Sequence, residues 1–149
     1  KKEIDVLMLY ADDGDFISGY NYFYLNYCPI SRIVNHITTD KDGSTVVKRI
    51  NEVSFPDFWD YDYYYFNAVQ EAETVGKHLC LLKSRRKGFS YKGGSMACRN
   101  FYLIPNSKTF IYASNKQYLT DDGILTKAWD YMDFIDKNTA WGKKRSVNT

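Results

Sequence analysis

The sequence predicts an α/β fold, a parallel central sheet entered through a helix and a β-hairpin, and three observations predict it. Residues 78–82 (HLCLL) and 109–113 (TFIYA) are short apolar runs of the kind that form buried strands. Between them lie a glycine-containing basic loop, 83–89, and a stretch of helical character, 90–103. Asp42 and Gly43, with Ile and Val on both sides, mark the turn of a hairpin. The central order of strand, loop, helix and strand is a βαβ unit, and its loop lies where open α/β sheets hold their ligands.

The elements follow in order. Residues 5–10 (DVLMLY) fit either a strand or a helix start, since so short a run has no decisive period. The aromatic stretch 15–27 reads as a helix that ends before Pro29, and 30–54 as the hairpin. Pro56 and Asp57 mark the entrance to the next helix, with Asp57 as its cap. Trp59, Tyr63, Phe66, Val69 and Ala72 then share an apolar face up to Gly76, which closes the helix in a left-handed conformation. Pro105 and Asn106 break the helix that follows the basic loop, in which Gly93 and Gly94 allow close packing on the sheet. Thr120 caps a last helix with Ile124, Ala128, Met132 and Ile135 on one face, and 142–149 is a frayed basic tail. The whole of 1–149 reads as one domain: a lead-in over 1–56, a body over 57–141 and the tail.

The 149 residues, 44% hydrophobic and 26% charged, suffice for one buried core and exclude a disordered, collagen-like or low-complexity chain. No apolar run reaches the roughly 20 residues needed to cross a bilayer, and no signal-peptide pattern opens the chain. Cys28, Cys80 and Cys98 form an odd set without close spacing, as expected in a reducing, intracellular compartment. The 14 Tyr, 9 Phe and 3 Trp are either a core built from Tyr in place of Leu or a nucleobase or partner surface.

Charge is segregated. Residues 1–73 carry 13 acidic and 6 basic side chains, whereas 74–120 carry nine bases and no acid. Pairing with the acidic first half accounts for part of that stretch; the cluster Lys83, Arg85, Arg86 and Lys87 calls for phosphate, on a nucleotide or a nucleic acid. Phosphate binding needs amides converging at a helix N-terminus and a glycine where a side chain would block the approach. Gly88 and the amides of Lys87, Gly88, Phe89 and Ser90 meet both needs, and the Ser90 hydroxyl stands where a P-loop Ser or Thr ligates Mg²⁺. Other constellations are weaker. His78 and Cys80 share a strand face without a second ligand pair, and Asp12–Asp13 and Asp121–Asp122 read as turn and cap residues.

The string SRRKGFS, 84–90, resembles the Walker A variant of the large terminase subunit of tailed bacteriophages, usually S-R-x-x-G-K-[ST]. Ser84, Arg85, Gly88 and Ser90 match, and Phe89 stands where that family has lysine. The likeness in element order extends over about 15–120, including Tyr27-Cys28-Pro29-Ile30 and SKTFIYAS at 107–114. It implies a partial P-loop NTPase-like, three-layer αβα fold and the ATP-binding segment of a DNA-packaging motor. ATP and Mg²⁺ are the implied cofactors, double-stranded DNA, the portal and the small terminase subunit the partners, a homo-oligomer on the capsid the assembly, and the host cytoplasm the location. Arg85 maps to the catalytic arginine that reaches the γ-phosphate. Ser84, Arg86, Lys87, Gly88, Phe89, Ser90, Tyr91 and Lys92 form the nucleotide loop, with Lys87 or Lys92 supplying the missing ammonium and Ser90 the metal contact. Tyr61, followed by Asp62, is the counterpart of the family's adenine-side Tyr-Gln pair. No strand ending in Asp-Glu follows the loop, so the catalytic acid is expected beyond Thr149, leaving a chain that is an ATPase only with that segment. The alternatives are a non-enzymatic nucleic-acid-binding domain, using the basic 74–120 stretch with stacking tyrosines, and a protein-interaction domain.

Overall fold

A computed structural model of the chain describes residues 9–10, 16–85 and 87–146. The elements are β1 (Leu9–Tyr10), β2 (Phe16–Ile17), α1 (Gly19–Tyr27), β3 (Ile30–Thr39), β4 (Thr45–Ser54), α2 (Asp60–Thr74), α3 (Phe89–Leu103), a 3-10 turn (Lys116–Tyr118) and α4 (Ile124–Asn138). Asp12, Asp13, Arg86 and most of 5–10 lie outside the described residues.

Local chemistry accounts for most of these boundaries. Ser18 caps α1, its hydroxyl accepting from the Asn21 amide at 3.2 Å, and Pro29 prevents the helix from continuing. The hairpin forms as expected: β3 and β4 pair antiparallel from Ile30↔Ser54 to Thr39↔Thr45, around a turn in which Gly43 takes φ 78°. The apolar stripe of α2 is led by Phe66 and Val69, and Gly76 (φ 64°) ends it, with the Lys77 amide bonding back to the Ala72 carbonyl at 2.8 Å. Asp57 is not the cap of α2. Trp59 holds that position, and Asp57 instead pairs with Arg32 of β3 at 2.6 Å.

The core is aromatic. Tyr20, Phe23 and Tyr24 of α1 meet Phe66 of α2, Cys98 and Tyr102 of α3, and Tyr131 and Ile135 of α4. Each such ring contributes about 1.5–3 kcal/mol on burial, so tyrosine does the work that leucine does in an ordinary core. The chief seam runs between α3 and α4, and it explains the glycine pair differently from the expectation. Gly94 packs on a helix, not a sheet, and a Cβ there would stand 2.8 Å from the Lys127 Cβ.

The described residues contain two antiparallel two-stranded ladders and no parallel one. The runs 78–82 and 109–113, expected as central strands, form neither ladder nor helix, and Leu82, Phe110 and Tyr112 are 99%, 72% and 89% exposed. An apolar run becomes a strand only when another strand takes its backbone bonds, and none does so here among the described residues. The architecture is therefore mixed α/β, four helices with an antiparallel hairpin. The tail also departs from expectation. Lys143 donates to the Phe101 and Tyr102 carbonyls at 2.8 and 2.9 Å, capping the end of α3, and Arg145 pairs with Asp133 and Asp136 at 2.6 and 2.7 Å. Thr120 does not cap α4, whose N-cap is Gly123; the Thr120 carbonyl accepts instead from the Thr126 hydroxyl. Among the described residues, no helix is long and apolar enough to cross a membrane.

Candidate functional site

The basic loop turns into α3 at Gly88, which has φ 69° and ψ 18°, a left-handed conformation that glycine adopts without steric cost. From there the chain enters the helix directly, the Lys92 amide bonding to the Gly88 carbonyl at 3.2 Å. The first amides of α3 have no partners within the helix and carry its positive end. A cavity of about 430 Å³ lies at this end, lined by Lys83, Lys87, Ser90 and, from α4, Lys127 with its ion-pair partner Asp122. Lys127 also lies over the Tyr91 ring, 4.6 Å from its centre.

On the other side of Gly88 the helix start is tied down from within. Lys92 is almost wholly buried, its ammonium 2.6 Å from the Asp62 carboxylate of α2 and donating to the Lys87 carbonyl at 2.6 Å. The same ammonium lies 4.5 Å from the centre of the Phe89 ring and 4.8 Å from that of Tyr61. Burial pushes the Asp62 carboxyl above the usual range against the pull of Lys92, and pushes Lys92 down against the pull of Asp62. A second cavity of about 260 Å³ opens over this pair, lined by Tyr24, Arg32, Trp59, Tyr61 and Lys87, with the Trp59 and Tyr61 rings stacked at 6.0 Å. Phe89 turns inward to meet Tyr65 edge-on at 4.9 Å.

Of the residues singled out in the sequence, Tyr61, Lys87, Gly88, Phe89, Ser90, Tyr91 and Lys92 come together around this helix start. Ser84 lines a third and mostly apolar cavity, which adjoins the site through Tyr61, Lys87 and Phe89 and is otherwise walled by residues such as Tyr64 and Leu81. Arg85 is exposed in the turn before Gly88. No family model, curated protein or solved structure matches this chain.

Lys92 is not a free ammonium, since Asp62 and the Lys87 carbonyl hold it, whereas Lys87 is exposed with its ammonium 5.4 Å from the centre of the Tyr61 ring. Sequence reading named Asp62 only as the neighbour of Tyr61 in the adenine-side pair, not as the partner of Lys92, and it missed Lys127 and Arg32. Asp62 carried a signal: it falls three residues after Trp59 and four before Phe66, an acid inside an apolar helical stripe. Lys127 and Arg32 carried none, because only the packing of α4 and β3 brings them near. Of the nine bases in 74–120, Lys92 and Arg99 are buried, Arg99 lying 4.2 Å from the centre of the Tyr20 ring. Lys83, Arg85 and Lys87 are exposed. His78 and Cys80 are exposed as well, and the described residues include no group of three or more His, Cys, Asp or Glu suited to a metal.

Proposed function

We propose that this chain binds ATP with Mg²⁺ through the loop at 83–90 and the first turn of α3, as the nucleotide-binding segment of a terminase-like DNA-packaging motor. The observation that carries the reading is the left-handed Gly88 set directly before α3, beside a cavity where Lys83, Lys87 and Lys127 converge. The exposed ammonium groups of Lys83 and Lys87, with the Asp122-paired Lys127 behind them and the open amides of a helix start, suit a polyphosphate chain, and a cavity of about 430 Å³ has room for it. The smaller cavity walled by Trp59 and Tyr61 suits the base. Mg²⁺ arrives with the phosphates and meets the exposed Ser90 hydroxyl.

Among the described residues, the carboxylates lining the two cavities at the helix start are Asp57, Asp62 and Asp122, each paired with a basic side chain, which leaves none of the three to activate water. The chain therefore binds nucleotide without turning it over, and an acid from outside residues 1–149 completes the ATPase. The finer fold belongs to the same proposal: 78–82 and 109–113 are strands of a parallel sheet, and its remaining strands come from outside these residues. Double-stranded DNA, the portal and the small terminase subunit are the partners of the assembled motor, which works as a homo-oligomer in the host cytoplasm.

Calorimetric titration with ATP and Mg²⁺ tests the reading. Saturable binding is expected, abolished when Ser90→Ala is combined with Arg85→Ala; heat of dilution alone at low salt ends the proposal. One observation favours a second reading, a nucleic-acid-binding surface: Phe110 and Tyr112 are open to solvent on a segment that also carries Lys108. That reading requires affinity for single-stranded DNA that falls steeply with salt and drops on Tyr112→Ala.

A further inference from the structure

The Asp62–Lys92 pair takes two charges almost wholly out of water. For both groups burial outweighs the mutual attraction, as their opposite displacements toward neutrality record. Stability does not explain such a pair, because well-packed apolar residues of similar size commonly serve as well. What the pair holds is geometry. Lys92 sits one turn inside α3, and its ammonium reaches back and donates to the Lys87 carbonyl at 2.6 Å. It lies beneath the left-handed turn itself, since a Cβ on Gly88 would stand 3.7 Å from it. In a trans peptide the C=O of one residue and the N–H of the next point in opposite directions. A Lys87 carbonyl drawn inward therefore turns the Gly88 N–H outward.

We propose that Asp62 and Lys92 are positioning residues for the anion site. Lys92 locks the Lys87–Gly88 peptide so that the Gly88 N–H faces the phosphate, and Asp62 keeps the ammonium under the loop and off the ligand. This inference rests on the triphosphate reading above. It assigns the ammonium absent at Phe89 a different use: Lys92 shapes the loop from below, and the contacts to phosphate fall to Lys83, Lys87 and Lys127.

The test titrates the chain with inorganic tripolyphosphate and with ATP and Mg²⁺, following both heat and the backbone amide resonances. In the wild-type chain the Gly88 amide resonance moves with saturation. In the double variant Asp62→Leu, Lys92→Met, which removes both charges together, affinity falls by about tenfold or more and the Gly88 resonance no longer responds, while the melting temperature changes little. A wild-type chain that binds neither probe overturns the triphosphate reading and this inference with it. A folded double variant that binds as tightly as the wild type leaves the triphosphate reading standing and overturns the inference alone. If the double variant does not fold, the wild-type spectrum decides: saturable binding with an unmoved Gly88 amide overturns the positioning role, and a moved one supports it.

Discussion

Gly94 of α3 lies against the backbone of Ala128 in α4, so close that a Cβ on Gly94 would stand 3.0 Å from the Ala128 nitrogen. The neighbouring Gly93 faces only the Ile124 side chain, at 3.5 Å or more. Two adjacent glycines in one helix therefore have opposite tolerance. Gly94→Ala forces the helices apart and costs about 1–3 kcal/mol, more than the ~1 kcal/mol gained in helix propensity. Gly93→Ala keeps that gain and is neutral to stabilising. Urea-unfolding midpoints of the two variants check this; equal midpoints would falsify the close crossing of α3 and α4.

The left-handed Gly88 predicts a second contrast. Gly88→Ala meets no clash, its Cβ being 3.7 Å from the Lys92 ammonium, but it carries the left-handed penalty of roughly 1–2 kcal/mol. Thermal unfolding reads that loss. Lys83→Gln and Lys87→Gln leave stability unchanged and each weaken tripolyphosphate binding by roughly two- to fivefold at low salt. Unaltered affinity in the combined Lys83, Lys87 variant would place the anion elsewhere.

Cysteine reactivity follows burial. Cys28 and Cys98 are fully buried, and burial pushes both thiols well above their ordinary range, whereas Cys80 is exposed. A chromogenic disulfide reagent is expected to label one thiol per native chain quickly and all three in urea. Rapid labelling of Cys80→Ser in native buffer contradicts the packing of α1 against α3.

A phenol and a carboxylate shape the pH dependence of the fold. Burial, reinforced by its bond to Glu73 at 2.6 Å, pushes Tyr20 up to about 12. A group whose proton is held more tightly in the folded state stabilises the fold below its unfolded value, so this contribution is complete below about pH 10 and is lost as pH rises toward 12. Asp136 behaves oppositely. The Tyr102 hydroxyl, donating at 2.5 Å, and then Arg145 hold it below the usual carboxylate range. Its contribution is present above about pH 4 and disappears as pH falls further. Unfolding midpoints measured against pH should decline at both ends. Tyr102→Phe should flatten the acid limb by removing the donor to Asp136, and part of the alkaline limb as well, since burial raises the Tyr102 phenol too.

The hairpin and the four helices were legible because their signals are local. Pro29, the Asp42–Gly43 step, Gly76 and Pro105 act within a few residues of themselves, through ring constraints and left-handed glycine. The start of α1, expected at 15, is instead set by the Ser18 cap, which the sequence reading did not single out. The strands expected at 78–82 and 109–113 were not secured by such signals. Their apolar character was visible, but a strand exists only through a neighbour, and composition does not name one. The tail misled for a related reason. A polar, basic end reads as frayed until the partners are known, here the terminal carbonyls of α3 and two aspartates of α4.

At the candidate site the division is the same. By itself the sequence determined the glycine before the helix, the run of bases around it and the aromatic residue where a lysine was expected, all within seven consecutive residues. Only the tertiary structure decided which ammonium groups are available. It sank Lys92 onto Asp62 from α2, left Lys87 exposed, and brought Lys127 from α4 to the same cavity. A charge costs so much to bury unpaired that its role depends on which distant acid the fold sets beside it, and residues thirty positions apart acquire that relationship only when their helices pack.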